Sequence, residues 1–169
     1  MIKRLKSAEK IHIIGPVGSG KTTLARKLAN QLEIPTYELD NIVWERRVGR
    51  SDRRREVEER DALFSDIVKR NKWIIEGVHR WVGDGLREAD FIILLDVPYK
   101  VRLAQILSRY NKQKQRLEEA NYVPSMKMLQ AMFKWNDDYE IRERDLILAM
   151  LEPFKEKVCT INCLEEIGV

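Results

Sequence analysis

The chain has 169 residues, a formal net charge of +4, 44% hydrophobic and 34% charged residues, which excludes a disordered polymer. No apolar run approaches the roughly 18 residues of a membrane span, so no membrane partner is expected. The basic excess suits nucleic acid and polyphosphate equally, and two cysteines, Cys159 and Cys163, are too few for a disulfide framework or a zinc site, so both are expected as buried, reduced thiols.

Lys3, Arg4 and Lys6 open the chain without an apolar signal core behind them, and a cytoplasmic location is the expectation. Ile11–Ile14 reads as a buried strand ending at a glycine. From Gly20 to Leu32, Leu24, Leu28 and Leu32 recur on one helical face, and Pro35 stops that helix. Thr36–Leu39 is a second strand ending at Asp40. Ser51 or Asp52 is expected to cap a long charged helix burying Val57, Phe64, Ile67 and Val68. Trp73–Ile75 is a third strand, followed by Glu76-Gly77, and Phe91–Leu95 a fourth, followed by Asp96. Pro98 opens a helix running through Val101, Ile106 and Leu107 into the basic stretch Tyr110–Glu119. A further helix is expected over about 125–151 and a fifth strand over Lys157–Ile161. No repeat or linker divides this pattern, so residues 1–169 read as one α/β domain, a three-layer sandwich around a five-stranded parallel sheet. Ligands of such sheets sit beyond the strands' carboxyl ends, where Gly15, Asp40, Glu76 and Asp96 all fall.

Gly15-Pro16-Val17-Gly18-Ser19-Gly20-Lys21-Thr22 matches G-x-x-x-x-G-K-[ST] in full, between a strand and an amphipathic helix. Gly15, Gly18 and Gly20 let backbone N–H groups turn inward around a phosphate, joined by Ser19, Thr23 and the start of the helix near Gly20. Lys21 brings a mobile charge to the β- and γ-phosphates and Thr22 a hydroxyl for Mg²⁺, so ATP with Mg²⁺ is the expected ligand.

Glu76-Gly77-Val78-His79-Arg80 resembles the D-G-x-x-R segment of adenylate kinases and related nucleoside monophosphate kinases. The resemblance implies Glu76 near Mg²⁺ and Arg80 on the acceptor's phosphate. Asp96-Val97-Pro98 with Arg109 is similar to the segment leading into the adenylate-kinase lid, which implies that Arg109 closes over ATP and that a short lid spans about 110–123. Gln105 stands where that family has a second arginine. Within the lid Arg116 is the preferred cation, and Arg142 or Arg144 follows from the next helix. Glu38 and Asp40 resemble the D-x-D pair of shikimate kinases, with Asp40 placed to orient an acceptor hydroxyl or to cap the next segment. Leu39-Asp40 with Trp44, Trp73–Gly77, Leu95–Pro98 and Arg109 together look like the bacterial topology-modulation-protein family, within the adenylate-kinase-like P-loop kinases. Members commonly have Asn-Tyr where this chain has Val78-His79, which implies different acceptor contacts.

Arg46, Arg47, Arg50, Arg53, Arg54 and Arg55 form the most basic segment, but acids are interleaved at salt-bridging spacing. A DNA partner is conceivable without any supporting motif; a flap over an anionic acceptor is the other use. His12 is expected in the core, and Trp44 and Trp81 beside the acceptor. A kinase acting on a nucleoside monophosphate or similar small acceptor is therefore expected, a nucleotide-dependent DNA-associated or regulatory protein being the alternative.

Overall fold

The computed structural model describes residues 5–47, 50–118 and 123–167. Five parallel strands, β1 (Lys10–Ile14), β2 (Thr36–Glu38), β5 (Trp73–Glu76), β6 (Phe91–Leu95) and β7 (Val158–Ile161), form one sheet in the order β2-β5-β1-β6-β7. The strands are apolar on both faces because both faces are covered. Ile14, Trp73, Ile75, Ile92 and Leu94 point into one core, and Ile11, Ile13, Ile74, Ile93 and Leu95 into the other. The second core is closed by helix α1 (Lys21–Leu32) through Leu24, Ala25 and Leu28. The first is closed by α3 (Val57–Val68), α4 (Gly83–Glu88) and, further along, α7 (Arg144–Leu151). The expected three-layer α/β architecture is what the chain forms.

Four local expectations are corrected. The second strand ends at Glu38, and Leu39–Val43 is a short helix, α2, so Asp40 lies in a first helical turn. After it, Trp44–Glu45 (β3) pairs antiparallel with Arg53–Arg54 (β4), a ribbon too short to leave a periodic signal. The charged helix starts at Val57 rather than near Ser51, because Glu56 and Glu59 form a reciprocal capping box while Asp52 is taken by Arg46 at 2.6 Å. Val57 is consequently exposed. Cys163 is exposed as well, and Cys159 is only half-buried.

Helix α5 (Tyr99–Lys114) leaves Val101 and Leu107 exposed and buries Ile106 and, unexpectedly, Arg102. Helix α6 (Met126–Asp138) begins at Ser125, whose Oγ accepts from the Met128 N–H. Between α6 and α7 the chain makes one π-helical turn, Tyr139–Glu143, inside what the sequence reads as a continuous helix. Leu129 and Met132 of α6 meet Ile106 of α5 in a small third core, against which Val17 of the glycine loop packs. Among the described residues no helix is long and apolar enough to cross a membrane.

Candidate active site

The glycine-rich loop links β1 to α1 at the carboxyl edge of the sheet. A Cβ on Gly15 would stand 2.8 Å from the Leu95 carbonyl oxygen. Gly18 has φ +73°, and a Cβ there would stand 2.8 Å from the Arg102 carbonyl oxygen, so backbone amides can line the loop only because these side chains are absent. Gly20, at φ 90°, caps α1. Ser19 Oγ is buried and donates to the Pro16 carbonyl at 2.8 Å, closing the loop on itself. Lys21 Nζ also donates to the Pro16 carbonyl, at 2.9 Å. Thr23 is exposed on α1.

Thr22 Oγ1 donates to Glu76 Oε1 at 2.6 Å, joining α1 to the end of β5. Burial pushes the Glu76 carboxyl above the usual range, against the opposing pull of Lys21 and Thr22. Burial likewise pushes the Lys21 ammonium down, with Glu76 and Asp40 opposing and the charge of Arg109 adding to the fall. Among the described residues no group of three or more His, Cys, Asp or Glu could hold a metal alone. A hydroxyl and a carboxylate beside a phosphate cradle instead fit Mg²⁺, whose remaining positions are ordinarily taken by phosphate oxygens and water. The site thus fits both ATP and its cation.

On the far side of Glu76, Asp40 Oδ1 lies 3.8 Å from His79 Nε2. The imidazole holds the Asp40 carboxyl below its ordinary range, and Lys21 and Arg46 act in the same direction. His79 stacks on Trp81 with ring centres 5.4 Å apart. The Arg60 guanidinium covers Trp81 at 4.4 Å, and Phe64 meets it edge-on. His79 and Trp81 line a pocket of about 360 Å³ with Val43, Arg54, Arg55 and Arg60. Arg55 is oriented by donating to the carbonyls of Asn41 and Ile42, at 2.8 and 3.1 Å.

The basic segment divides in two. Arg46, Arg47 and Arg53 are paired with Asp52, Glu45 and Glu59, whereas Arg54 and Arg55 face the pocket. Trp81 also lines the pocket, while Trp44 pairs with Arg54 in the ribbon. Arg80 does not line the pocket; it is exposed and reaches Glu143 of the π-turn at 3.5 Å.

Of Arg142 and Arg144, Arg144 faces the sheet edge. It donates from Nε and Nη2 to Asp96, and Tyr139 Oη donates to the same carboxylate at 2.9 Å. Burial works to raise Asp96, but these donors outweigh it and hold the carboxyl below its ordinary range. Arg142 is exposed and pairs with Glu143. Arg109 pairs with Glu118 at 3.1 Å. Arg116 sits in the turn ending α5, at φ 59°. The expected lid of 110–123 thus begins inside α5, and its residues 119–122 lie outside those described.

Two features of the site were missed from sequence. Arg102 is fully buried, donates to Glu140 and stacks over Tyr139 at 4.6 Å. Its position four residues before buried Ile106, on the same helical face, was the available signal. The Asp40–His79 pair joins residues distant in sequence and left no local signal.

Residues of this chain are 42% identical over 57 positions to a shikimate kinase of Paracidovorax citrulli, a stretch covering 34% of this chain and 31% of that protein. The match therefore spans about a third of the relative's length. Among solved structures, the shikimate kinase of Acinetobacter baumannii in complex with shikimate is similar, with TM-score 0.54, 20% identity, and 96% of this chain and 87% of that one covered. The shikimate kinase of Bacteroides thetaiotaomicron gives TM-score 0.51 at 17% identity, covering 93% and 88%. A gluconokinase of Sinorhizobium meliloti gives 0.50 at 14%, covering 94% and 85%. Residues 11–124, more than half of the chain, match the AAA-domain family, so the chain belongs to that family and carries the fold of the P-loop kinases.

Proposed function

We propose that this protein is an ATP-dependent phosphotransferase that moves the γ-phosphate to a hydroxyl or phosphate oxygen of a small anionic acceptor. The observation that carries the reading is the alignment of three parts along one sheet edge: the glycine loop with Lys21, the Thr22–Glu76 pair, and Asp40 with the arginine pocket. Lys21 leaves the Pro16 carbonyl to meet the β- and γ-phosphates, and Arg109, whose charge already reaches Lys21, adds to the field on the transferring group. Thr22 and Glu76 would hold Mg²⁺, which neutralises phosphate charge when bound. Asp40 meets the acceptor's reacting oxygen, and Arg54, Arg55 and Arg60 its anionic group. Arg116 is assigned to the closed state, in which residues 110–123 act as the lid. No covalent intermediate is required, since positioning and charge do the catalysis.

A nucleoside monophosphate and a hydroxy acid of the shikimate or gluconate kind both match an arginine-lined pocket. Trp81 favours an acceptor with a flat or ring-shaped body. The deciding experiment is ATP consumption with a panel of nucleoside monophosphates, shikimate, gluconate and related hydroxy acids, using Lys21→Ala as the control. One acceptor should raise turnover at least tenfold, and the variant should abolish that turnover. If none does, while duplex DNA binds with a steep salt dependence, the proposal fails in favour of the DNA-associated role that the topology-modulation resemblance implies.

A further inference from the structure

We propose that His79 is a catalytic residue, the proton acceptor for the attacking hydroxyl, and that Asp40 is the carboxylate that stabilises its charged form. The inference rests on the kinase reading and names a residue that neither the glycine loop nor the acceptor arginines require.

The 3.8 Å between His79 Nε2 and Asp40 Oδ1 is too long for a direct hydrogen bond. It is short enough for one oxygen, at ordinary hydrogen-bond length from each, to bridge them. The notch stands between the two halves of the site. On one side Asp40 senses Lys21, and Lys21 senses Glu76. On the other, His79 is itself part of the pocket wall with Arg54, Arg55 and Arg60, where Glu56 also lies. An acceptor whose anion meets those arginines presents its hydroxyl to the notch, facing the phosphate loop. The imidazole is held in place by stacking on Trp81, itself fixed by Arg60 and Phe64, so its orientation is built in before any ligand arrives.

In the transfer, the acceptor oxygen bonds to the γ-phosphorus, and the bond from that phosphorus to the oxygen bridging to the β-phosphate breaks, its electron pair leaving with ADP. The hydroxyl proton passes to Nε2 of neutral His79. The imidazolium then lies beside the Asp40 carboxylate and returns its proton to solvent, to which the half-buried ring is open.

The test needs no knowledge of the acceptor. Asp40→Asn should slow acceptor-free Mg·ATP hydrolysis at least tenfold in the otherwise unchanged protein but less than threefold in the His79→Gln background, because the carboxylate acts through the imidazole. Equal losses in the two backgrounds would show that the two groups act separately and would overturn the pairing. In parallel, acceptor-free Mg·ATP hydrolysis, with water in the notch, is followed against pH. His79→Gln should slow it at least tenfold and remove the fall in rate on the acid side, while affinity for a fluorescent ATP analogue stays within threefold. Hydrolysis that Lys21→Ala abolishes, but whose rate and pH profile His79→Gln leaves unchanged, overturns the role of His79 and leaves the kinase reading standing. Hydrolysis insensitive to Lys21→Ala would instead remove the phosphate-loop mechanism.

Discussion

Replacing Asp96 by Asn tests whether the end of β6 is a structural clamp rather than part of the chemistry. The carboxylate is only 14% exposed and accepts from Arg144 Nε and Nη2, the shortest contact being 2.6 Å, as well as from Tyr139 Oη at 2.9 Å. A hydrogen bond to a charged group contributes about 1.5–3 kcal/mol when buried. Tyr139 is buried, so its bond merits the lower end of that range, about 1.5 kcal/mol. Arg144 is 43% exposed, water competes for it, and its share is discounted to about 1 kcal/mol. Asp96→Asn should therefore cost about 2–3 kcal/mol in urea unfolding and lower Tm by roughly 5–10 °C for a domain of this size. In a cycle with Arg144→Met, the coupling should be about 1 kcal/mol. The sign with pH follows from the lowered carboxyl. Its contribution is present above the unfolded value near 4 and disappears as pH falls through the folded one, so the penalty should shrink below about pH 4. A loss under about 0.5 kcal/mol at pH 7, or a coupling indistinguishable from zero, would refute the clamp.

Burial pushes His12 down to about 3 from an ordinary 6.5, so between those values the unfolded chain binds a proton that the folded one refuses. Stability should fall as pH drops across that window, by at most roughly 4–5 kcal/mol at about 1.4 kcal/mol per unit. His12→Leu should flatten this limb of urea midpoint against pH, and an unchanged limb would count against it. Arg60→Ala should raise the KM for the acceptor found by the panel at least tenfold with ATP affinity unchanged. Arg80→Ala, which breaks only an exposed contact to Glu143, should raise it less than threefold and leave stability within about 0.5 kcal/mol; the reverse order would misplace the acceptor. Glu76→Gln should leave nucleotide affinity in EDTA within threefold while Mg²⁺-supported hydrolysis falls at least tenfold, and equal losses with and without the metal would remove its assigned role.

The sheet and the phosphate loop were legible because their signals are local. Ile11–Ile14 and Phe91–Leu95 are runs that must be buried, and the spacing of Gly15, Gly18 and Gly20 before Lys21 dictates a loop before a helix. What was hidden depends on pairing across the chain. Glu59 serves at once the capping box of α3 and Arg53 of the ribbon, and no window around Ser51 contains that information. The π-turn was equally invisible, because one extra residue per turn leaves the apolar pattern of 125–151 nearly intact. Arg80 resembled a substrate arginine by its spacing from Glu76, but the turn after Gly77 carries His79 to the pocket and leaves Arg80 outside it.

The bond from Lys21 to the Pro16 carbonyl makes nucleotide binding an exchange rather than an addition. A phosphate entering the loop must replace a contact the protein already makes with itself, so measured affinity is a difference between two bonds. Ligands that end before the β-phosphate offer nothing in return for that displacement. Discrimination among mono-, di- and triphosphates then starts at Lys21 itself, before any base is consulted.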